Sequence, residues 1–266
     1  MVRKVPHRRV KKFLHSVLGL ENYSILLQKY LVLASSLPFV RDFPYHRNRF
    51  RDLRFMFKLI QYGDTCIDIG ANVGLYTIRM AQLVGPSGKV YSFEPVSINY
   101  RVLLRGLPRD LTRMITAERL VLSDSIGEKE ILVHDEDGLF LQGLCCVNSN
   151  DRGVKSVTER VPATTLDQYF KDDHHKISFI KCDVEDHEFY VLSGGQNVLE
   201  RDQPIVLCEL WDNDKLYRTF SFLEALNYQG FYLEEEKLSS VDKTTAGWRK
   251  KLDYFFVPKN HAVLRT

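Results

Sequence analysis

The sequence is poor in phosphate-type glycines, in paired cysteines and in long apolar runs, and each shortage excludes a class. A dinucleotide fingerprint needs glycine at the first, third and sixth positions after a buried strand. Counted from Gly70, this chain has Gly70, Asn72 and Leu75, so two of the three fail. Those glycines admit a pyrophosphate to a helix N-terminus, and their loss argues against an NAD-dependent oxidoreductase. The cysteines are Cys66, Cys145, Cys146, Cys182 and Cys208, an odd number with no Cys-x-x-Cys. Three lie in apolar strand patterns, where cysteine acts as a small buried hydrophobe. That pattern is not a disulfide framework, and the expected setting is a reducing cytosol. No apolar run approaches the roughly 20 residues that span a bilayer. The run from Leu31 to Val40 is broken by Ser35, Ser36 and Pro38 and leads to no cleavage site, so no signal peptide is expected. Repeats and low-complexity segments are missing. No aromatic–basic motif accompanies a candidate site, so nucleic acid is not an expected partner.

What is present is a basic arm ahead of an acidic body. Of 266 residues, 44% are hydrophobic and 12% aromatic, enough for a sizeable core. The net charge of +3 hides an uneven distribution: residues 1–58 hold 13 Lys or Arg against 3 Asp or Glu, and residues 59–266 hold 24 against 31. Residues 1–58 read as a basic helical extension, with Phe13, Leu14, Val17, Leu18 and Leu20 at helical spacing. Its preferred reading is a helical cap over the sheet or the active site, or a dimer contact. The alternative is peripheral contact of residues 1–20 with an anionic membrane, at its inner face. Residues 59–266 read as one domain. Oligomeric state is not readable from the chain.

The organising stretch is Thr65 to Thr77, T-C-I-D-I-G-A-N-V-G-L-Y-T. An apolar strand ends in a turn on Gly70 and Gly74, and a helix follows, the first half of a nucleotide-binding βα unit. Asp68 ahead of the turn would repel phosphate and attract a cation. Lys89 to Pro95, K-V-Y-S-F-E-P, is a second strand ending in Glu94. A strand-end carboxylate accepts hydrogen bonds from both hydroxyls of a ribose. S-adenosylmethionine combines a free ribose with a sulfonium and an ammonium and has no phosphate, so the order D-I-G-A-N-V-G then F-E-P suits it.

Further strands are expected at Ile115 to Leu122, ending at Ser123-Asp124 near an adenine edge, at Ile177 to Cys182, ending at Asp183, and at Pro204 to Leu210, carrying Glu209. A helix is expected from Glu188 to Leu199, and an antiparallel pair, Phe231 to Leu233 with Tyr254 to Val257, closes one edge. Between the halves, Glu128 to Val161 reads as an antiparallel insertion whose segment 135–153, together with the N-terminal helices, would select the acceptor. The alternation indicates an α/β fold, a doubly wound Rossmann-like sheet with ligands beyond the carboxyl ends of its parallel strands.

D-I-G-A-N-V-G-L-Y-T, S-F-E-P, L-S-D, T-L-D-Q-Y and I-K-C-D-V-E-D-H-E with V-L-S-G-G resemble the FkbM family of class I S-adenosylmethionine-dependent methyltransferases over roughly residues 60 to 210. The resemblance implies a seven-stranded Rossmann-like sheet and methylation of a hydroxyl on a sugar, glycan or other small metabolite. It implies cofactor positions at Asp68, Gly70, Asn72, Gly74, Glu94 and Asp124. Its Asp-Val-Glu-Gly motif falls on Asp183, Val184 and Glu185, with Asp186 where glycine is usual. Aspartate tolerates the left-handed conformation better than most residues.

O-methylation needs an in-line hydroxyl, a route for its proton and exclusion of water. Asp183 and His187 are the candidate bases, and Glu209 a candidate for holding the acceptor. A metal variant is also in view: Asp183 with Asp212-Asn213 is similar to the ligand spacing of catechol-type O-methyltransferases and would suit Mg²⁺. A plain polar loop at 212–214 is favoured over it, so no metal ligand is assigned. The alternative function is a non-catalytic protein that keeps the cofactor fold and works through its basic arm at a membrane or partner.

Overall fold

Apolar strands alternating with amphipathic helices after residue 64 build a central sheet covered on both faces. A computed structural model describes residues 16–37, 50–136, 139–147, 155–234, 236–244, 248–250 and 252–265, and the side chains of 134–156, 250 and 265 are not described. The extension supplies α1 (Leu20–Ser36) and α2 (Arg51–Leu59). The first half of the body runs β1 (Thr65–Ile69), α3 (Leu75–Val84), β2 (Lys89–Phe93), α4 (Ser97–Gly106) and β3 (Ile115–Glu118). Four strands follow: β4 (Val121–Leu122), β5 (Gly127–Glu136), β6 (Leu139–Val147) and β7 (Lys155–Thr164). The second half runs α5 (Leu166–Tyr169), β8 (Ile177–Cys182), α6 (Glu188–Ser193), α7 (Gln196–Asp202), β9 (Ile205–Glu209), α8 (Asp214–Ala225), β10 (Tyr228–Glu234), β11 (Lys237–Ser240) and β12 (Asp253–Pro258).

The main sheet has the order β11-β10-β12-β9-β8-β1-β2-β3. Strands β9, β8, β1, β2 and β3 are mutually parallel, and β12, β10 and β11 close the edge antiparallel. All five residues of β1 are buried, as a central strand covered on both faces requires. One apolar face gathers Ile67, Phe93, Ile180, Val206 and Phe256 under α6, α7 and α8. The other gathers Cys66, Val90, Phe179, Leu207 and Phe255 under α2 and α3. Leu53, Phe55, Met56 and Leu59 of α2 are buried there, each worth about 1.5–3 kcal/mol.

The expected sheet is present, with one further strand, β11, paired with β10 at its edge. Two expectations are corrected. The strand expected from Ile115 to Leu122 breaks at Arg119 and Leu120, and its second part pairs with β7 in a separate four-stranded sheet, β4-β7-β5-β6. The helix expected from Glu188 to Leu199 divides into α6 and α7 at Gly194-Gly195. Residues 1–15 of the expected membrane contact, and residues 137–138 and 148–154 of the expected acceptor-selecting segment, lie outside the described residues.

Candidate active site

The sheet reverses its winding between β1 and β8, and a cleft opens at the carboxyl ends of these strands. Its floor is the glycine turn after β1. The amides of Gly70 and Ala71 both donate to the Phe93 carbonyl at 3.0 Å, which ties the turn to β2. Gly70 has φ 74°, and a Cβ there would stand 1.9 Å from the Asp183 carbonyl oxygen. The turn and the end of β8 therefore approach closer than any side chain at position 70 permits.

Asp68 sits beneath this turn and does not line the cleft. It is fully buried, accepts from Thr77 Oγ1 at 2.6 Å and lies 3.6 Å from Lys181 Nζ. Lys181 also stands 3.2 Å from Asp183 Oδ2 and donates to the Gly70 carbonyl at 2.9 Å. Burial pushes the Asp68 carboxyl up and Lys181 pulls it back. Burial works to lower Lys181, but the Asp183 and Asp68 carboxylates outweigh it and keep the ammonium charged. The cation that Asp68 meets is thus a lysine of the chain. Gly74, at φ 88°, also lies away from the cleft, and a Cβ there would meet Leu103 Cδ1 at 2.3 Å.

The cleft encloses about 760 Å³, counting the open space at its mouth. Gly70, Asn72, Glu94, Asp183, His187 and Glu209 line it. Glu94 is buried. Its Oε2 accepts from the Asn72 amide at 2.7 Å, and its Oε1 accepts from the Val96 amide at 3.0 Å and Asn99 Nδ2 at 3.4 Å. Burial raises its pKa to about 7, against the pull of these donors. Asn72, in the left-handed region at φ 52°, holds a buried Oδ1 with no hydrogen-bond partner. Phe93, Val96, Leu120, Leu122 and Ile131 form an apolar wall. Ile131 comes from β5, so the second sheet supplies part of this wall.

The opposite wall carries the acids. The Asp183 amide donates to the Ile69 carbonyl at 3.1 Å, extending the β1–β8 ladder into the site. Burial acts to raise the Asp183 carboxyl, and Lys181 together with a hydrogen bond to Glu209 outweighs it and holds it below its ordinary value. Glu209 moves the other way, raised by burial and by the Asp183 charge beside it. The pair holds one proton most readily on Glu209. Glu185 and Asp186 both take positive φ, 53° and 74°. Asp186 is held there by Asn213 Nδ2 at 2.6 Å and by Lys215 Nζ, which donates to its carbonyl at 2.8 Å. His187, buried at the start of α6, lies with Nε2 3.0 Å from Ser123 Oγ and stacks on Tyr190. Burial lowers its pKa to about 4, so the imidazole is neutral at pH 7.

Ser123 and Asp124 stand behind this wall and do not line the cleft. Gly194 allows that placement, since a Cβ there would lie 2.1 Å from the Ser123 carbonyl oxygen. Reading by residue type missed Lys181, although a single charge in an apolar strand was the available signal. It also missed Glu188, whose Oε1 accepts from the Val184 amide at 2.9 Å and whose pKa burial raises to about 7. Asp212 pairs with Arg249 at 2.6 Å, and Asn213 caps α8 through the Lys215 amide. These side chains are engaged away from Asp183, and the described residues contain no cluster of three or more His, Cys, Asp or Glu suited to a metal.

A mostly parallel sheet with this order, with a cleft at the β1–β8 reversal, is the class I S-adenosylmethionine methyltransferase fold. Within that class the methyltransferase FkbM domain matches residues 68–232, and the chain belongs to this family. A solved FkbM methyltransferase from Methylobacillus flagellatus KT is similar at 14% identity and a TM-score of 0.51, over 88% of this chain and 53% of that one. The chain thus spans about half the length of that protein. An S-adenosylmethionine-dependent O-methyltransferase from Thermotoga maritima aligns at 15% identity and a TM-score of 0.42, over 79% of this chain and 64% of that one. The O-methyltransferase from Bacillus cereus, solved with S-adenosylhomocysteine, aligns at 12% identity and a TM-score of 0.42, over 93% and 95% of the two chains. Identities this low speak for the fold alone. No protein of curated function matches the chain.

Proposed function

We propose that the chain transfers a methyl group from S-adenosylmethionine to an oxygen of a small molecule or glycan, in the simplest case a sugar hydroxyl. The observation that carries this reading is that Glu94 and Asn72 share one cleft with Asp183, Glu209 and His187. The residues fit the cofactor. Glu94 keeps carboxylate lone pairs beyond its backbone donors for a ribose diol, and the orphaned Asn72 Oδ1 is a ready acceptor. The apolar wall suits a purine ring, and Gly70 lets the floor lie flat. When bound, the cofactor supplies an electrophilic methyl on a sulfonium.

The chain's own residues do the rest. The ionised Asp183 carboxylate accepts the hydroxyl proton or holds that hydroxyl in line, and the neutral His187 is the second proton acceptor. Glu209, carrying a proton, orients Asp183 and donates to an acceptor oxygen. Asp68 and Lys181 position the turn and Asp183 from beneath. Asp124 and Ser123 act through His187. The test is release of S-adenosylhomocysteine with a panel of sugars and glycosides, with and without EDTA. Asp183→Asn is expected to bind S-adenosylmethionine like the wild type in calorimetry while turnover falls about 10²- to 10⁴-fold. A wild-type chain that does not bind S-adenosylmethionine would overturn the reading. One that binds it and releases no product with any oxygen acceptor would leave the non-catalytic alternative standing.

A further inference from the structure

Strand alternation sets a row of ionisable groups on one face of the main sheet. Leu207, Phe255, Phe179 and Cys66 point to the face that α2 and α3 cover. Two residues further along their strands, towards the cleft, stand Glu209, Asp253, Lys181 and Asp68. Asp183 follows Lys181 on the same face. The row crosses β12, β9, β8 and β1, which are neighbours in that order. Asp253 and Glu209 are direct partners across the antiparallel pair β12–β9. Partners of this kind bring their Cβ atoms to about 4.5–5.5 Å.

The extension closes the outer end of the row. Arg51 and Asp52 open α2, and Arg51 lies 3.7 Å from Asp253 Oδ2 and 3.5 Å from Asp52 Oδ1. Asp52 is 5% exposed, and its Oδ1 accepts from no N–H or hydroxyl of the described residues. Asp52 shares a hydrogen bond with the Asp253 carboxyl, as Asp183 does with Glu209. A hydrogen bond between two carboxyls needs a proton on one of them. Four carboxyls thus stand in line with one cation at each end, Arg51 beside Asp52 and Lys181 beside Asp183. Coulomb attraction draws the two negative charges to those ends. The protons fall to the middle pair, Asp253 and Glu209. Burial and the Asp52 charge raise Asp253, and burial raises Asp52 against the pull of Arg51. Asp183, Asp253 and Glu185 all oppose the ionisation of Glu209. From α3, the Tyr76 phenol faces Asp52, Asp253 and Asp183 and is raised by burial and by their charges.

We propose that Asp253, backed by Asp52 of the extension, is a positioning residue of the cleft: it keeps the proton on Glu209 and so leaves Asp183 as the ionised member of its pair. Neither Asp253 nor Asp52 lines the cleft, so both act through Glu209. The proposal deepens the methyl-transfer reading and rests on it for its use, since that reading needs a free base at Asp183 and a donor at Glu209. It also makes α2 part of the site's chemistry, although α2 precedes the family match.

The experiment is a ¹³C NMR titration of the whole chain labelled at glutamate Cδ, with the Glu209 signal identified as the one that Glu209→Gln removes. Asp253 ionises before Glu209 as pH rises, so its negative charge is in place when Glu209 titrates. Asp253→Asn and Asp253→Ala remove that charge, and each is expected to lower the Glu209 midpoint by about one pH unit. Asp253→Glu keeps the charge and is expected to leave the midpoint near the wild-type value. Circular dichroism of each variant checks its fold. Where an acceptor is turned over, the alkaline limb of the kcat profile is expected to move down with the midpoint. A midpoint unmoved by Asn and Ala, or moved as far by Glu as by Asn, overturns the proposal. A midpoint that moves as expected in a chain that releases no S-adenosylhomocysteine upholds the proton's place on Glu209 and counts against the methyl-transfer reading alone.

Discussion

Glu94 shows what one position decides. Its carboxylate already accepts two backbone amides, so its place is fixed before any ligand arrives. Its pKa, raised by burial to about 7, lies within the working range. Above that pH the ionised group accepts from a ribose diol, and below it a proton occupies an acceptor site. S-adenosylmethionine affinity is therefore expected to weaken as pH falls through about 7, by up to about tenfold per unit. Titration calorimetry at several pH values reads this slope, and Glu94→Gln is expected to bind weakly and without it. Glu94 was readable from the sequence as a strand-end acid, and it lines the cleft. Asp68 was readable as a residue, but its burial beside Lys181 was not. Strand alternation cannot say whether a carboxylate just ahead of a turn rises into the cleft or sinks onto a buried lysine on the neighbouring strand. Lys181 was the missing half of that pair, 113 residues on, and its register opposite Asp68 exists only once β1 and β8 lie side by side.

At the scale of elements, the same limit explains the breaks. The strand β1, the turn and α3 were readable because local chemistry decides them: five buried residues, then glycines, then a helical period. The division of Ile115 to Leu122 between two sheets was not, because both parts are equally apolar and the choice of partner strand is non-local. The split between α6 and α7 has a visible cause in Gly194 and Gly195, yet its reason lies across the fold, at the Ser123 carbonyl. Gly194→Ala is expected to push α6 away from β4 and to cost about 1–3 kcal/mol, read as a lowered urea midpoint at unchanged slope. Ser123 would shift with it, so the His187 ring loses its hydrogen bond and turnover falls with stability.

For the whole molecule, the extension and the body share one core. Residues 1–58 are basic and precede the family match, which suggested an appendage, and the division at residue 58 is our proposal for where the methyltransferase domain begins. The packing shows how firmly the two parts are joined. Phe50, Leu53, Phe55 and Met56 are buried in the same cluster as Phe179 and Phe255. At about 1.5–3 kcal/mol each, their loss rivals the 5–15 kcal/mol that a domain has in total. A chain starting at residue 59 is expected to lack a cooperative thermal transition in circular dichroism, whereas the whole chain shows one.

The crossing at Arg119 and Leu120 has a consequence for how tightly the cleft grips. Its apolar wall mixes Phe93, from the main sheet, with Leu122 and Ile131, from the smaller one. Two plates with separate hydrogen-bond ladders thus share one seam of a single wall. The evenness of that wall depends on how the two sheets are set against each other as much as on the side chains of either, so a substitution that shifts the small sheet would reshape the cleft without altering a residue of the main one.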